Sequence, residues 1–177
     1  MRVIAGSHRG AKLIAPRGSA TRPTGDRVRE ALFSILGPVD RARVLDLFAG
    51  SGALAIEALS RGAAEATLVD SSAAAIAAIR RNLAALGLDA EVRHQRASAF
   101  LERARADARQ YDLVFVDPPY RRPSALERTL SDALAPVLAP GARAIAESDR
   151  RAPLELELPL GDERRYGDTL IRIYHGP

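Results

Sequence analysis

From Arg43 onward, short apolar runs alternate with stretches of helical period, and that alternation restricts the chain to few architectures. Val44–Phe48 reads as a strand, 53–61 as a helix closed by Gly62, Ala66–Asp70 as a strand, and 72–86 as a helix closed by Gly87. A strand near 90–94, a helix near 98–108, the strand Leu113–Asp117 and a helix near 124–138 continue the series. Pro140–Gly141 reads as a turn before a strand at Arg143–Glu147, and the tail holds two strands, Leu154–Leu158 and Thr169–Tyr174, with no helix between them. Strands separated by helices pair in parallel with helices on both faces, whereas two strands lacking a crossover pair antiparallel. The expected fold is therefore α/β, a doubly wound sheet of seven strands with the last one antiparallel.

The first 36 residues differ from this pattern. Residues 2–5 and 11–15 flank Gly6–Gly10 as a small hairpin with basic residues at its turn, and a connector from Pro16 to Pro23 follows. Val28, Ala31, Leu32, Ile35 and Leu36 then form the stripe of an amphipathic helix, stopped by Gly37–Pro38. Residues 1–30 hold seven basic side chains against two acidic ones, while the rest of the chain carries 19 against 20. The positive excess of the whole chain thus sits at one end, which suggests a polyanionic partner there. Residues 1–36 are read as a basic extension, facing that polyanionic partner, on a 37–177 domain, the two forming one compact unit.

At 177 residues with 47% hydrophobic and 27% charged side chains, the chain has the makings of one folded domain. No run approaches the roughly 20 apolar residues that span a bilayer, and the first residues lack a signal-peptide core, so a cytoplasmic location is expected. There is no cysteine, and His8, His94 and His175 are scattered, which leaves no metal-ligand pattern. A monomer is favoured.

Two turns carry the chemistry. Val44–Phe48 runs into Ala49-Gly50-Ser51-Gly52, a glycine turn opening a helix, where absent Cβ atoms let backbone N–H groups approach a ligand. Gly50-x-Gly52-x-x-Ala55 with Asp70 at the end of the next strand also satisfies the permissive dinucleotide pattern. Asp46 argues against that reading, because a carboxylate there repels a pyrophosphate and attracts the ammonium and sulfonium of S-adenosylmethionine. The second turn is Asp117-Pro118-Pro119-Tyr120, delivered by the apolar strand Leu113–Val116. The prolines remove donors, so the Asp117 carboxylate and the Pro118 carbonyl present only acceptors, which suits an amino group with two hydrogens to give. Tyr120 offers a face on which a base can stack. An exocyclic base amine is a poor nucleophile, and acceptors holding both of its hydrogens can aim its lone pair at a methyl donor.

Together these motifs resemble the class I methyltransferases that act on base amino groups. The wider set is Met1-Arg2-Val3-Ile4-Ala5-Gly6 with Arg9-Gly10, Arg22-Pro23-Thr24, Asp26 to Phe33, Asp46 to Leu54, Glu57 to Gly62 and Phe115 to Tyr120. It resembles the RsmD family of small-subunit (16S) ribosomal RNA guanine-N2 methyltransferases. The resemblance implies a Rossmann-like sheet, S-adenosylmethionine as cofactor, and ribosomal RNA or the small ribosomal subunit as partner. It implies that Asp46, Phe48, Gly50 and Gly52 border the methionine end of the cofactor, with Ala49 and Ser51 in the same turn. Asp70, with Ser71, would bond the ribose, and Asp117, Pro118, Pro119 and Tyr120 would hold the guanine. Arg2, Arg9, Lys12, Arg22, Thr24, Arg27 and Arg29 would face RNA, with Arg121 and Arg122 beside the target. The chain departs from the wider class at Arg96-Ala97-Ser98, where an Asp or Asn often meets the adenine, so that contact is assigned to the backbone of Ala97 or to Ser98. An adenine-N6 methyltransferase, a catalytically idle RNA-binding or ribosome-assembly factor, and a dehydrogenase are the alternatives; the last leaves Asp117–Tyr120 without a task.

Overall fold

The computed structural model of the chain describes residues 1–16, 25–118 and 130–177. The N-terminal segment closes on itself through an antiparallel bridge between Arg2 and Lys12, with Val3 N–H bonded to the Ala11 carbonyl and Gly10 N–H to that of Val3, both at 2.9 Å. Helix α1 (Asp26–Leu36) follows and ends at Gly37, whose φ of 66° breaks the helix. Then come β1 (Arg43–Leu47), α2 (Ala53–Ser60), β2 (Glu65–Asp70), α3 (Ala73–Leu86), β3 (Glu91–His94), α4 (Ala97–Ala106) and β4 (Tyr111–Val116). Residues 130–134 are helical and pass through a 3₁₀ turn, Ala135–Val137, into β5 (Leu138–Asp149). The chain finishes with β6 (Leu160–Tyr166) and β7 (Thr169–His175).

The strands form one sheet in the order β3-β2-β1-β4-β5-β7-β6. The first five are mutually parallel, and β7 runs antiparallel to both β5 and β6. The doubly wound sheet with its last strand reversed is thus as expected. Alternate residues of the central strands feed two cores. Val44, Leu68, Leu113, Phe115 and Ile145 pack with α1, α2 and α3, while Leu45, Leu47, Val69, Val114 and Val116 pack with α4 and Leu130 and Leu134. Burial on both faces is why the central strands are mostly apolar, with Asp46 of β1 and Thr67 of β2 as buried polar exceptions. The chain order reverses between β1 and β4, and a crevice at that switch point, beyond the carboxyl ends of the strands, is where open α/β sheets bind ligands.

Three expectations are corrected. The penultimate strand is Leu160–Tyr166, not Leu154–Leu158. Leu154 and Leu156 are buried, but their backbone is tied by the Tyr174 hydroxyl, which accepts from Leu156 N–H at 3.3 Å and donates to the Leu154 carbonyl at 3.2 Å. Pro140–Gly141 lies inside β5 as a bulge: between the pairs Tyr111↔Leu138 and Leu113↔Arg143 the register shifts, and Gly141 takes a φ of 73°. The helix expected near 124–138 stops before Leu138, where β5 begins; its part up to residue 129 lies outside the described residues.

Candidate active site

The glycine turn sits on the end of β2. Phe48, Gly50 and Gly52 have φ values of 63°, 57° and 77°, so the chain leaves β1 through three left-handed residues in five. For Phe48 such a backbone costs roughly 1–3 kcal/mol, strain of the kind that persists where surrounding contacts fix a functional turn. Gly52 is required by its φ, and a Cβ there would also lie 2.8 Å from Leu68 Cδ2, which would have to shift. Asp70 holds the turn: one of its carboxylate oxygens accepts from Gly50 N–H at 2.9 Å and the other from Ser72 N–H at 2.8 Å. A carboxylate has about four lone-pair sites, so these bonds leave acceptors for a ribose. From the other side, the Asn82 amide donates to the Ser51 carbonyl at 2.9 Å and to the Ile14 carbonyl at 3.0 Å, and accepts from Ile14 N–H at 2.9 Å.

Asp46 lies beneath the turn with only 2% of its surface exposed and accepts from Ala55 N–H, in the first turn of α2, at 3.2 Å. Burial pushes its carboxyl up to about 7; the Ala55 bond opposes the rise and the charge of Asp70 adds to it. A cation bound beside Asp46 would reverse that penalty.

Asp117 follows β4 directly, partly exposed, with Pro118 buried after it. Asp46 pairs in register with Phe115, so Asp46, Phe115 and Asp117 share one face of the sheet, where the Phe33 ring of α1 packs 5.9 Å from that of Phe115. On the neighbouring strand, Val116 pairs with Ala146, which sets Glu147 at the level of Asp117 and on the same face. Glu147 is buried, at 5% exposure. Burial chiefly, then the charge of Glu147 and that of Asp46, hold the Asp117 carboxyl well above the usual carboxylate range. In sequence Glu147 closes the strand expected at Arg143–Glu147 and belongs to no motif. The only signal was a lone acid closing the apolar alternation of Ala142 to Ala146. Pro119, Tyr120, Arg121 and Arg122 lie outside the described residues.

At the place expected from sequence to meet the adenine, Arg96 caps α4 with an extended backbone, Ala97 is buried and Ser98 is partly exposed in the first turn of the helix. Ser71, exposed, follows Asp70 and its carbonyl meets the ring of His94 at 3.1 Å.

In the N-terminal unit, Arg2, Arg9, Lys12 and Arg27 are exposed. Arg29 is not. It is fully buried, donating to the Arg2 carbonyl and, at 3.0 Å, to Asp26, so it braces the hairpin against α1 and does not face RNA. Arg22 and Thr24 lie outside the described residues. Between hairpin and α1 run two adjoining hollows of about 370 and 600 Å³, lined in part by Arg2, Arg9, Arg27 and Arg61 alongside Asp26 and Glu30. The unit is fastened to α2 by Glu57, a buried carboxylate that accepts from Ile4 N–H (2.7 Å), Ala5 N–H (3.0 Å) and Arg61 Nε (2.7 Å). Among the described residues, no group of three or more His, Cys, Asp or Glu is placed to hold a metal ion, and no helix is long and apolar enough to cross a membrane.

A parallel sheet wound about β1 and β4 and closed by a reversed β7, with a glycine turn after β1 and acids closing β2 and β4, defines a class I methyltransferase fold. The solved structure of the Escherichia coli protein yhhF is similar at 38% identity with a TM-score of 0.82, covering 99% of this chain and 97% of that one. The model of the family described as Conserved hypothetical protein 95 matches residues 1–175, and the chain belongs to it; this is the RsmD family that the sequence resembles. Bacillus subtilis YlbH is 40% identical over 185 residues, 98% of each chain. The ribosomal RNA small subunit methyltransferase D of Escherichia coli is 47% identical over 133 residues, 74% of this chain and 65% of that protein.

Proposed function

We propose that the chain transfers a methyl group from S-adenosylmethionine to the exocyclic N2 of a guanine in small-subunit ribosomal RNA. The observation that carries this reading is the pairing of a cofactor turn above a buried acid, Asp46, with a second, partly exposed acid, Asp117, one strand away at the switch point. Membership of the family, and a relative named for methylating small-subunit ribosomal RNA, support it.

The residues present suit the cofactor. Asp46 and Asp70 set two carboxyl groups against the cofactor turn, which favours a ligand bearing an ammonium and a sulfonium and disfavours a pyrophosphate. Gly50 has no heavy atom nearer than 3.9 Å to where its Cβ would stand, so its place in the turn rests on backbone conformation and leaves the face of the turn clear. Asp46 and the turn Phe48–Gly52 would hold the methionine end, Asp70 and Ser71 the ribose, and Ala97 or Ser98 the adenine. When bound, S-adenosylmethionine supplies an electrophilic methyl group whose bond to sulfur breaks as the new bond to nitrogen forms.

The protein's part is orientation. Asp117 and the Pro118 carbonyl accept the two N2 hydrogens and turn the nitrogen lone pair along the line of transfer. As that bond forms, positive charge grows on N2, and the Asp117 carboxylate stabilises it. The proton becomes acidic once the methyl has moved, so Asp117 need not be a strong base beforehand. A base must leave its stack to reach this depth, which fits a loop or an unstacked nucleotide of a folded RNA. Arg2, Arg9, Lys12 and Arg27 of the N-terminal unit are placed to meet RNA phosphates, with Arg22, Thr24, Arg121 and Arg122 assigned to the same surface by sequence.

Asp117→Ala is expected to abolish transfer to unmodified small subunits while S-adenosylmethionine binding, followed by calorimetry, stays within about threefold of the parent protein. Equal loss of both would refute the division of roles between the two acids.

A further inference from the structure

Asp117 and the Pro118 carbonyl account for an amino group but not for the base that bears it: the 6-amino group of adenine would meet them as well as the 2-amino group of guanine. What separates the two bases is the adjoining ring position. Guanine carries a donor there, N1–H, next to its amino group, whereas adenine carries a bare acceptor nitrogen. A site that selects guanine therefore needs a further acceptor beside the pair that holds the amine.

Glu147 stands in that place. Its strand, β5, flanks β4 on the side away from β1 and β2, so Asp117 lies between Glu147 and the cofactor turn. The register Val116↔Ala146 puts Glu147 level with Asp117 at the ligand-binding edge of the sheet, and Ile145, two residues earlier, shares the core of Phe115, which fixes the common face. Glu147 in turn pairs with Ile171 of β7, whose side chain belongs to the same core, so the carboxylate closes the end of that face. The two carboxylates are near enough for the charge of Glu147 to raise the Asp117 carboxyl. An ionised carboxylate only accepts hydrogen bonds.

We infer that Glu147 is the specificity-determining residue of the site, accepting N1–H of the target guanine while Asp117 and the Pro118 carbonyl accept the hydrogens of N2. This rests on the guanine-N2 reading above and supplies the discrimination that the Asp117 turn lacks. Adenine would set its N1 lone pair against a buried carboxylate, acceptor against acceptor, and a polar site rejects a near-isostere by such a mismatch.

The test uses a small-subunit RNA fragment ligated with either guanine or 2,6-diaminopurine at the methylated position. 2,6-Diaminopurine keeps the 2-amino group but presents an acceptor at N1. Single-turnover methylation by the parent protein should be slower on 2,6-diaminopurine by about tenfold or more, the usual range for a well-made base contact. Glu147→Gln keeps the shape and can turn its amide N–H toward N1, so it should narrow or invert that ratio while binding S-adenosylmethionine as the parent does. Equal rates on both bases by the parent protein would overturn the assignment whether or not the variant folds. So would a Glu147→Gln variant that binds the cofactor but is slowed equally on both. Label in adenine of the natural substrate would instead overturn the guanine-N2 reading, which keeps the two failures apart.

Discussion

Asp46 combines two demands that conflict in the absence of ligand. A carboxyl that ionises near 4 in an unfolded chain is held up to about 7 by burial beneath the glycine turn. Between those values the unfolded chain releases a proton that the folded chain keeps, so stability from this group is present at low pH and is lost as pH rises toward 7. Asp46→Asn should therefore stabilise the ligand-free protein at pH 8, by up to about 4 kcal/mol in urea unfolding, and weaken S-adenosylmethionine binding by roughly 30-fold or more. The parent protein should bind the cofactor more tightly as pH rises from 5 to 7, releasing a proton on binding. A variant that is less stable at pH 8, or an affinity independent of pH across that range, would contradict this account of Asp46. The Asp117–Glu147 pair extends the same logic to transfer, since protonation of Asp117 removes one acceptor for the amine.

At the scale of elements, the N-terminal unit depends on a few buried polar contacts. Glu57 on α2 receives two backbone N–H groups of the hairpin and Arg61, and Asn82 on α3 joins Ile14 to Ser51 of the glycine turn. Glu57→Ala leaves those donors buried without an acceptor and should cost about 3 kcal/mol or more. The Ile4 and Ala5 amides should then exchange with solvent faster than the amides of β1; unchanged protection there would show that the hairpin is held by its apolar contacts instead.

The elements also show which parts of the fold the residues announce. The central strands are buried on both faces and are mostly apolar, most plainly Leu113–Val116 of β4, so they are easily read. The edge strand β6 is the opposite case: Glu163, Arg164 and Arg165 pair with their own neighbours and with Arg172 across the ladder, so a sheet edge reads as a charged loop. Leu154, Leu156 and Leu158 misled because their alternation is real, yet two of them are fastened through a tyrosine hydroxyl and not a strand partner. Arg29 stands at the head of the series Arg29, Leu32, Phe33 and Leu36, the face that α1 buries, so helical spacing alone could have removed it from the RNA-facing set. Glu147 was not legible, because its neighbour Asp117 comes from another strand and depends on a register that includes the β5 bulge.

At the scale of the whole molecule, a basic N-terminal face adjoins an acidic crevice, an arrangement that suits a polyanion feeding one base toward a cationic cofactor. Arg9 and Arg27 border the hollow between hairpin and α1. Replacing both with Gln should leave cofactor binding unchanged and reduce the dependence of log Kd for RNA on log salt by roughly 1.4, if each meets one phosphate of unpaired RNA. An unaltered slope would place the RNA elsewhere on the surface.

The central claim is that Asp46 and Asp117 bring a methyl donor and a guanine amine together at the switch point of the sheet. The most direct measurement incubates the protein and radiolabelled S-adenosylmethionine with unmodified small ribosomal subunits, free ribosomal RNA and duplex DNA, then digests each and identifies the labelled nucleoside. The account predicts N2-methylguanosine from a ribosomal substrate and none from DNA. Label in adenine, or in DNA, would contradict it.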